Sequence, residues 1–315
     1  MYKVVFMGTP QFSVPILEAL AAVENVEIIA VVTQPDRKVG RKKVLTAPPV
    51  KEQALTLKLP IFQPEKLSGS EEMKQIVEME PDLIVTAAYG QYVPTKLLYT
   101  PTFKAINVHA SLLPKYRGAA PIHSAIINGD KETGVTIMYM EKEMDAGNII
   151  AQKSIPITDQ DDTGTMFDKL SLVGRDLLLS VLPSVFDGTN QSIEQNTAEV
   201  TYAPMIHSEQ EKIDFTLSAE SIDNKVRGLR PFPGAHTYLD GLRFKIWETN
   251  VLEGKATREP GTIEEIKKEA IIVACGDQTL LALTEIQPSG KQKMRTRDYL
   301  VGAGSQLKEG ISFGK

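Results

Sequence analysis

The feature that most constrains this chain is its opening pattern. Tyr2 to Met7 is a short apolar run, Gly8 to Ser13 a turn, Val14 to Ala22 a helical stretch and Val26 to Thr33 a second apolar run. Short apolar runs bounded by turn residues read as strands buried on both faces. Strand, helix, strand in that order predicts a right-handed crossover and a parallel sheet. Ser13 is placed to cap the helix, and Pro15 is tolerated in its first turn. The Gly8 turn lacks Gly-x-Gly-x-x-Gly and no acidic residue ends the second strand, which excludes a dinucleotide site. The pattern continues with a helix over 50–58, a short strand near Ile61, a helix over 71–79 and a strand over 83–87, with Tyr89 just past the last strand.

The stretch from Ile106 to Pro121 carries the chemistry. Ala105, Ile106 and Val108 predict a strand, and Pro114 ends the sheet ladder a few residues on. Asn107 and His109 are two apart, so both side chains leave the same face. Carboxyl ends of strands in open α/β sheets are where ligands bind. An amide donates hydrogen bonds without titrating, and an imidazole shuttles protons near neutral pH. Together they suit a carbonyl that becomes an oxyanion during acyl transfer. On the residues alone, a core histidine beside a loop-capping asparagine is the favoured reading, because short patterns of this kind often match by chance. Residues 133–140 and 148–157 read as two more strands, and Asp145 lies between them beside Ala146 and Gly147. There it is either a turn residue or a carboxylate that holds a histidine in one tautomer and favours its charged form.

Bulk charge points away from nucleic acid: the net charge is −5 over 315 residues. Locally the balance reverses. Gln34 to Pro49 reads as a long polar loop in which Arg37, Lys38, Arg41, Lys42 and Lys43 crowd a seven-residue span. A basic loop on an acidic protein is either a phosphate-binding element or a solvated charge run. Lys291, Lys293, Arg295 and Arg297 alternate, so an extended backbone would line them along one face, as a phosphate track or as a charged edge that blocks aggregation. Between these, a helix over 165–186 has Leu170, Val173, Leu177, Leu178 and Val181 at helical spacing, a core stripe. Residues 187–200 are polar and without period, the best linker in the chain. A helix over 218–228 and short β runs at 235–239, 242–248, 261–266, 270–274 and 280–286 predict a small barrel or sandwich. Cys275 is the single cysteine, which excludes an internal disulfide and a cysteine-rich metal site. No apolar run reaches transmembrane length and no signal peptide is evident, so a cytoplasmic protein is expected.

Residues 107–118 (Asn-Val-His-Ala-Ser-Leu-Leu-Pro-Lys-Tyr-Arg-Gly) and the Met-Asp-Ala-Gly loop at 144–147 resemble the signature of the formyltransferases that use 10-formyltetrahydrofolate. The resemblance spans the chain and is nearest to the branch that formylates initiator methionyl-tRNA. It implies a Rossmann-like α/β, mostly parallel formyltransferase domain over 1–188. A linker over 189–206 and a C-terminal, OB-like β-barrel domain over 207–315 that helps hold tRNA would follow. It implies Asn107, His109 and Asp145 as the catalytic set, and Ser111, Leu112, Leu113, Pro114 and Tyr89 as folate contacts. It makes Arg37, Lys38, Arg41, Lys42 and Lys43 an inserted tRNA loop, with Arg41 at the position of that loop's key arginine. Lys291, Lys293 and Arg295 would be further tRNA contacts. A monomer without metal is expected. The competing readings are a formyltransferase acting on a nucleotide-linked amino sugar, against which both basic stretches speak, and a folate- or RNA-binding protein without turnover.

Overall fold

Residues Val4 to Gly8 are sealed from solvent within β1 (Tyr2–Gly8), as a strand flanked on both sides by other strands requires. The computed structural model describes residues 1–40 and 42–314. Two compact units result, the first comprising Met1–Pro121, Thr133–Ile155 and Phe167–Ala203, the second Ile122–Glu132, Pro156–Met166 and Pro204–Lys315.

The first unit is built on β1 with α1 (Val14–Ala21), β2 (Val26–Val32), β3 (Arg37–Val39), β4 (Val44–Thr46), α2 (Pro49–Thr56), β5 (Ile61–Phe62), α3 (Glu71–Glu78), β6 (Leu83–Ala87), α4 (Thr95–Tyr99) and β7 (Ala105–His109). Among the described residues its main sheet runs β5-β2-β1-β6-β7, followed by β8 (Glu132–Tyr139) and β9 (Ile149–Pro156). β5, β2, β1, β6 and β7 pair in parallel, and β7 pairs with β8 antiparallel. The mostly parallel α/β sheet expected from the opening pattern is therefore present, with an antiparallel neighbour added beside β7.

Ser13 does not cap α1. It follows a 3₁₀ turn at Gln11–Ser13, has helical dihedrals itself, and donates its buried hydroxyl to the Ala87 carbonyl at 2.6 Å. That bond ties the start of α1 to the carboxyl end of β6. Gly8 is required for the same approach, since a Cβ there would sit 2.8 Å from Cβ of Ser13. A 24-residue helix runs over Thr163–Phe186, preceded by α5 (Pro121–Ile127), and is labelled α6. Its Leu170, Leu178 and Val181 are buried as expected, and a Cβ at Gly174 would press on Val108 of β7. Residues 189–203 run along the first unit as a strap broken by a 3₁₀ turn at Thr197–Glu199. Ile193 exchanges both backbone hydrogen bonds with Ile149 at 2.8 Å, and Arg117 forms a bridge with Tyr202.

In the second unit, α7 (Ala219–Leu229) buries Ile222, Val226 and Leu229 against β10 (His236–Leu239), β11 (Leu242–Leu252), β12 (Ile263–Ile266), β13 (Ile271–Ala274) and β14 (Leu280–Pro288). The antiparallel order is β10-β11-β14-β13-β12, and register shifts near Trp247 bend β11, as bulges do, so the sheet curls into a half-barrel. Gly310–Gly314 hydrogen-bond to Gly261 and Ile263 beside β12 and to Tyr238 of β10, spanning the two edges. Short β15 (Met294–Arg295) pairs with β14 at Glu285 and Ile286 and leads into α8 (Thr296–Val301). The predicted extended run from Lys291 to Arg297 is thus not formed. Only 294–295 are strand, and Arg297 sits on the first turn of a helix, so the four basic residues do not share one strand face.

Candidate active site

Because β1, β6 and β7 are adjacent and parallel, their carboxyl ends lie at one edge of the sheet. Asn107 on β7 is in register with Thr86 on β6. The buried Thr86 hydroxyl donates to Asn107 Oδ1 at 2.7 Å. A hydroxyl has one proton, and an amide oxygen that accepts it leaves the amide NH2 as the donor. Thr86 therefore orients the one group on Asn107 that can bind a carbonyl oxygen.

His109 closes β7 and is 6% exposed. Its Nε2 lies 3.0 Å from the Tyr116 carbonyl oxygen, which can only accept, so Nε2 carries a proton. In the neutral ring Nδ1 is then the free lone pair. The Asp145 carboxylate stands 3.7 Å from it, beyond hydrogen-bond distance. The predicted division of labour is therefore altered. A backbone carbonyl, not Asp145, is the hydrogen-bond partner that selects the tautomer, and the Asp145 carboxyl group lies opposite Nδ1.

Asp145 Oδ2 takes its hydrogen bond from the Gly118 amide at 2.9 Å. Tyr116 and Gly118, which flank Arg117, are thus the direct partners of His109 and Asp145. The Arg117 side chain is 5% exposed and gives Nε and Nη2 to Gln195 Oε1 at 3.1 and 2.9 Å, and Nη1 to Glu143 at 3.1 Å. The Gln195 amide nitrogen donates to the carbonyls of Asp145 and Gly147, both at 2.8 Å. Gly147 has to be small, because a Cβ would collide with the Tyr139 carbonyl. Sequence reasoning missed Thr86, Gln195 and the two backbone partners. Thr86 carries no local signal, since parallel register is not readable from one strand.

The Ser-Leu-Leu-Pro segment follows His109 directly. Ser111 is fully buried and donates to the Lys115 carbonyl at 2.7 Å. Thr136 Oγ1 donates to the Ser111 carbonyl and accepts from the Leu113 amide, and Gln152 binds the Leu113 carbonyl. The segment is thus rigid. Leu113 is buried, and Leu112 and Pro114, both half-buried, are its partly exposed side chains. Tyr89 is placed differently from the expectation of a pocket wall. Its ring belongs to the core with Val93, Leu97 and Leu98, and burial pushes its phenol well above the usual tyrosine range. Only its carbonyl faces the strand ends, accepting from Thr9 and Gln34.

The basic stretch is a β-hairpin and not an irregular loop. β3 and β4 pair through Arg37–Thr46, Lys38–Leu45 and Val39–Val44, and Gly40 and Lys43 take positive φ at the turn. Lys38, Lys42 and Lys43 are exposed, as are Val39, Val44 and Leu45, while Arg37 is paired with Glu65 at 2.7 Å. Arg41 lies outside the described residues. In the second unit Lys293 pairs with Glu285 at 2.8 Å and lies over the Trp247 ring, and Lys291 and Arg295 are exposed. No group of three or more metal-ligating side chains is assembled among the described residues.

Two family models match the chain: Formyl transferase over residues 2–182, and Formyl transferase, C-terminal domain, over residues 205–304. Among relatives, the methionyl-tRNA formyltransferase of Streptococcus uberis is 55% identical over 315 residues, covering 100% of both chains. That of Levilactobacillus brevis is 55% identical over 311 residues, covering 98% of each. The chain belongs to the methionyl-tRNA formyltransferase family. Solved structures agree on the fold of this formyltransferase. The N-formyltransferase of Helicobacter canadensis, in complex with folinic acid and dTDP-3-aminofucose, superposes with a TM-score of 0.69 at 19% identity over 93% of this chain and 100% of that one. HypX of Aquifex aeolicus with tetrahydrofolic acid gives 0.62 at 15% identity, over 99% of this chain and 50% of that one. Full-length identity above half thus lies with enzymes named for methionyl-tRNA, while the sugar-modifying enzyme shares the fold.

Proposed function

We propose that this formyltransferase moves the formyl group of 10-formyltetrahydrofolate to the α-amino group of methionine on initiator methionyl-tRNA. The relatives' names supply the acceptor, and the folates named in the structural neighbours supply the donor class. The observation that carries the chemistry is the Thr86-oriented amide of Asn107 two residues from a histidine whose free ring nitrogen faces a carboxylate.

In this reading the amino nitrogen attacks the formyl carbon, the new C–N bond forms, and the bond from that carbon to N10 breaks. The attacking amine gives up a proton and N10 gains one. Asn107 donates its NH2 to the formyl oxygen as negative charge develops there. His109 Nδ1 receives the amine's proton, since Nε2 is committed to Tyr116, and passes it to N10 as the bond from the formyl carbon breaks; Asp145 balances the imidazolium in between. Proton relay of this kind contributes about 10²- to 10⁴-fold. Leu112 and Pro114 border the folate. Lys38, Lys42, Lys43, Lys291, Lys293 and Arg295 meet tRNA phosphates, with Arg37 joining them when it leaves Glu65; an exposed pair of that type is worth only about 0–1 kcal/mol. Arg41, whose place in the sequence matches the family loop's key arginine, is proposed as a further tRNA contact. The proposal includes a cytoplasmic monomer with residues 1–188 as the catalytic part, 189–206 as the connecting segment and 207–315 as the tRNA-binding part.

His109→Ala tests the reading. It removes nearly all turnover and leaves methionyl-tRNA affinity close to wild type. Turnover within tenfold of wild type would exclude His109 as the proton relay.

A further inference from the structure

We propose that Gln195 is a positioning residue for the reaction, acting by holding the Asp145 loop against the 116–118 turn and so setting the separation of Asp145 from His109. The inference rests on the catalytic roles proposed above for His109 and Asp145. Gln195 lies 50 positions from Asp145 and 78 from Arg117 in the chain, in a polar segment with no catalytic motif.

The geometry is one of complete use. Gln195 is 5% exposed. Its amide oxygen takes two hydrogen bonds from Arg117, and its amide nitrogen gives two, to the carbonyls of residues 145 and 147. One planar group therefore joins the turn that binds both catalytic side chains to the loop that carries one of them. Gly118 holds the Asp145 carboxylate and Tyr116 holds the His109 ring, so any shift of Arg117 relative to the Asp145 loop changes the distance between the pair. Backbone strain shows that the arrangement does not hold itself. Tyr116 has φ 63° and Asp145 φ 52°, left-handed values that L side chains rarely adopt. Each costs on the order of 1–2 kcal/mol and persists where surrounding contacts over-determine it. The strap supplies those contacts. Thr201 accepts from the Arg117 amide at 2.9 Å and its hydroxyl accepts from the Tyr116 amide at 2.9 Å, while the Ala203 amide donates to the Arg117 carbonyl at 2.8 Å. Within this strap Gln195 alone, among the hydrogen bonds described, reaches the Asp145 and Gly147 carbonyls.

The charge requirement is also specific. A glutamate at 195 would still accept from Arg117, but it would set a carboxylate oxygen against two carbonyl oxygens and repel the loop. Gln195→Glu is therefore nearly isosteric, keeps the tie to Arg117 and breaks only the ties to the Asp145 and Gly147 carbonyls.

The test uses the full-length enzyme and a double-mutant cycle between Gln195→Glu and Asp145→Asn, reading kcat, the KM values for folate and acceptor, the pH–rate profile and the melting temperature. The expected result is a kcat lowered 10- to 100-fold in Gln195→Glu, KM values within about twofold, and a displaced pH–rate profile. In the Asp145→Asn background the same change adds less than threefold, because groups acting as one unit are not additive. Gln195→Ala, which removes all four bonds, lowers kcat at least as far. A kcat within twofold of wild type, or losses that multiply in the double mutant, overturns the proposal. Loss of folding in both Gln195 variants overturns it as well, by making Gln195 a stability residue. Wild-type enzyme that fails to formylate methionyl-tRNA refutes the function proposed above. Gln195 then still stands or falls on the same cycle, measured with whichever acceptor the wild type uses.

Discussion

Asn107→Asp separates the amide's chemistry from its packing. The substitution keeps size and shape, and it keeps the oxygen that accepts from Thr86 at 2.7 Å. What changes is the other group, from an NH2 donor to an oxygen carrying negative charge. Loss of one oriented oxyanion donor typically costs about 3 kcal/mol of transition-state stabilisation. At about 1.36 kcal/mol per decade, that is roughly a 160-fold drop in kcat. Repulsion between the new carboxylate and the developing oxyanion adds to it, so 160-fold is the lower bound. The assay is formyl transfer to methionyl-tRNA at saturating folate, with the melting temperature followed in parallel. The expected outcome is a kcat down by at least roughly 160-fold, with the melting temperature within a few degrees of wild type. A loss below tenfold, or one carried wholly by KM for folate, would refute the assignment of Asn107 to the formyl oxygen.

Other consequences follow from the hairpin and the half-barrel. Lys42→Ala and Lys43→Ala lower the slope of log affinity against log salt by about one unit each for methionyl-tRNA, and leave KM for folate unchanged; an unchanged slope removes them from the phosphate contacts. His236 is buried beside Arg243, and burial first, then that guanidinium, hold its pKa below the usual 6.5. Folded protein therefore keeps the ring neutral where the unfolded chain takes up a proton, so its contribution to stability is complete above about pH 6.5 and declines as pH falls below that. Urea midpoints should fall from pH 7 toward pH 5, and His236→Gln should flatten part of that fall, with half-buried His123, also held below its usual pKa by burial, contributing in the same direction.

The α/β sheet and the Asn107–His109 pair were legible because both rest on local periodicity. A strand that alternates faces puts residues two apart together whatever the rest of the chain does, and β7 does so. The parts that stayed hidden depend on register or on distant pairing. Thr86 faces Asn107 only through the parallel register of β6 and β7, which neither strand encodes by itself. Gln195 reads as one polar residue in a polar stretch until Ile193 and Tyr202 lay that stretch along the first unit. Ser13 looks like a helix cap because capping is local, but a carbonyl at the end of β6 captures its hydroxyl first. Tyr89 looked like a pocket residue from its place after a strand, yet its ring turns into the core. The Lys291–Arg297 alternation was over-read. Alternation lines up side chains only on an extended backbone, and α8 begins at Thr296, so Arg297 leaves the strand geometry. The basic stretch read as an irregular loop was misjudged in form, since pairing of Val39 with Val44 makes a hairpin.

The central claim is the identity of donor and acceptor, and one competition assay addresses it directly. Purified enzyme is given 10-formyltetrahydrofolate with charged initiator methionyl-tRNA and, in parallel, with a nucleotide-linked amino sugar. The account predicts formyl transfer to methionyl-tRNA and none to the sugar. Transfer to the sugar alone would keep Asn107, His109 and Asp145 as catalytic residues and contradict the reading of the hairpin and of the whole acceptor side.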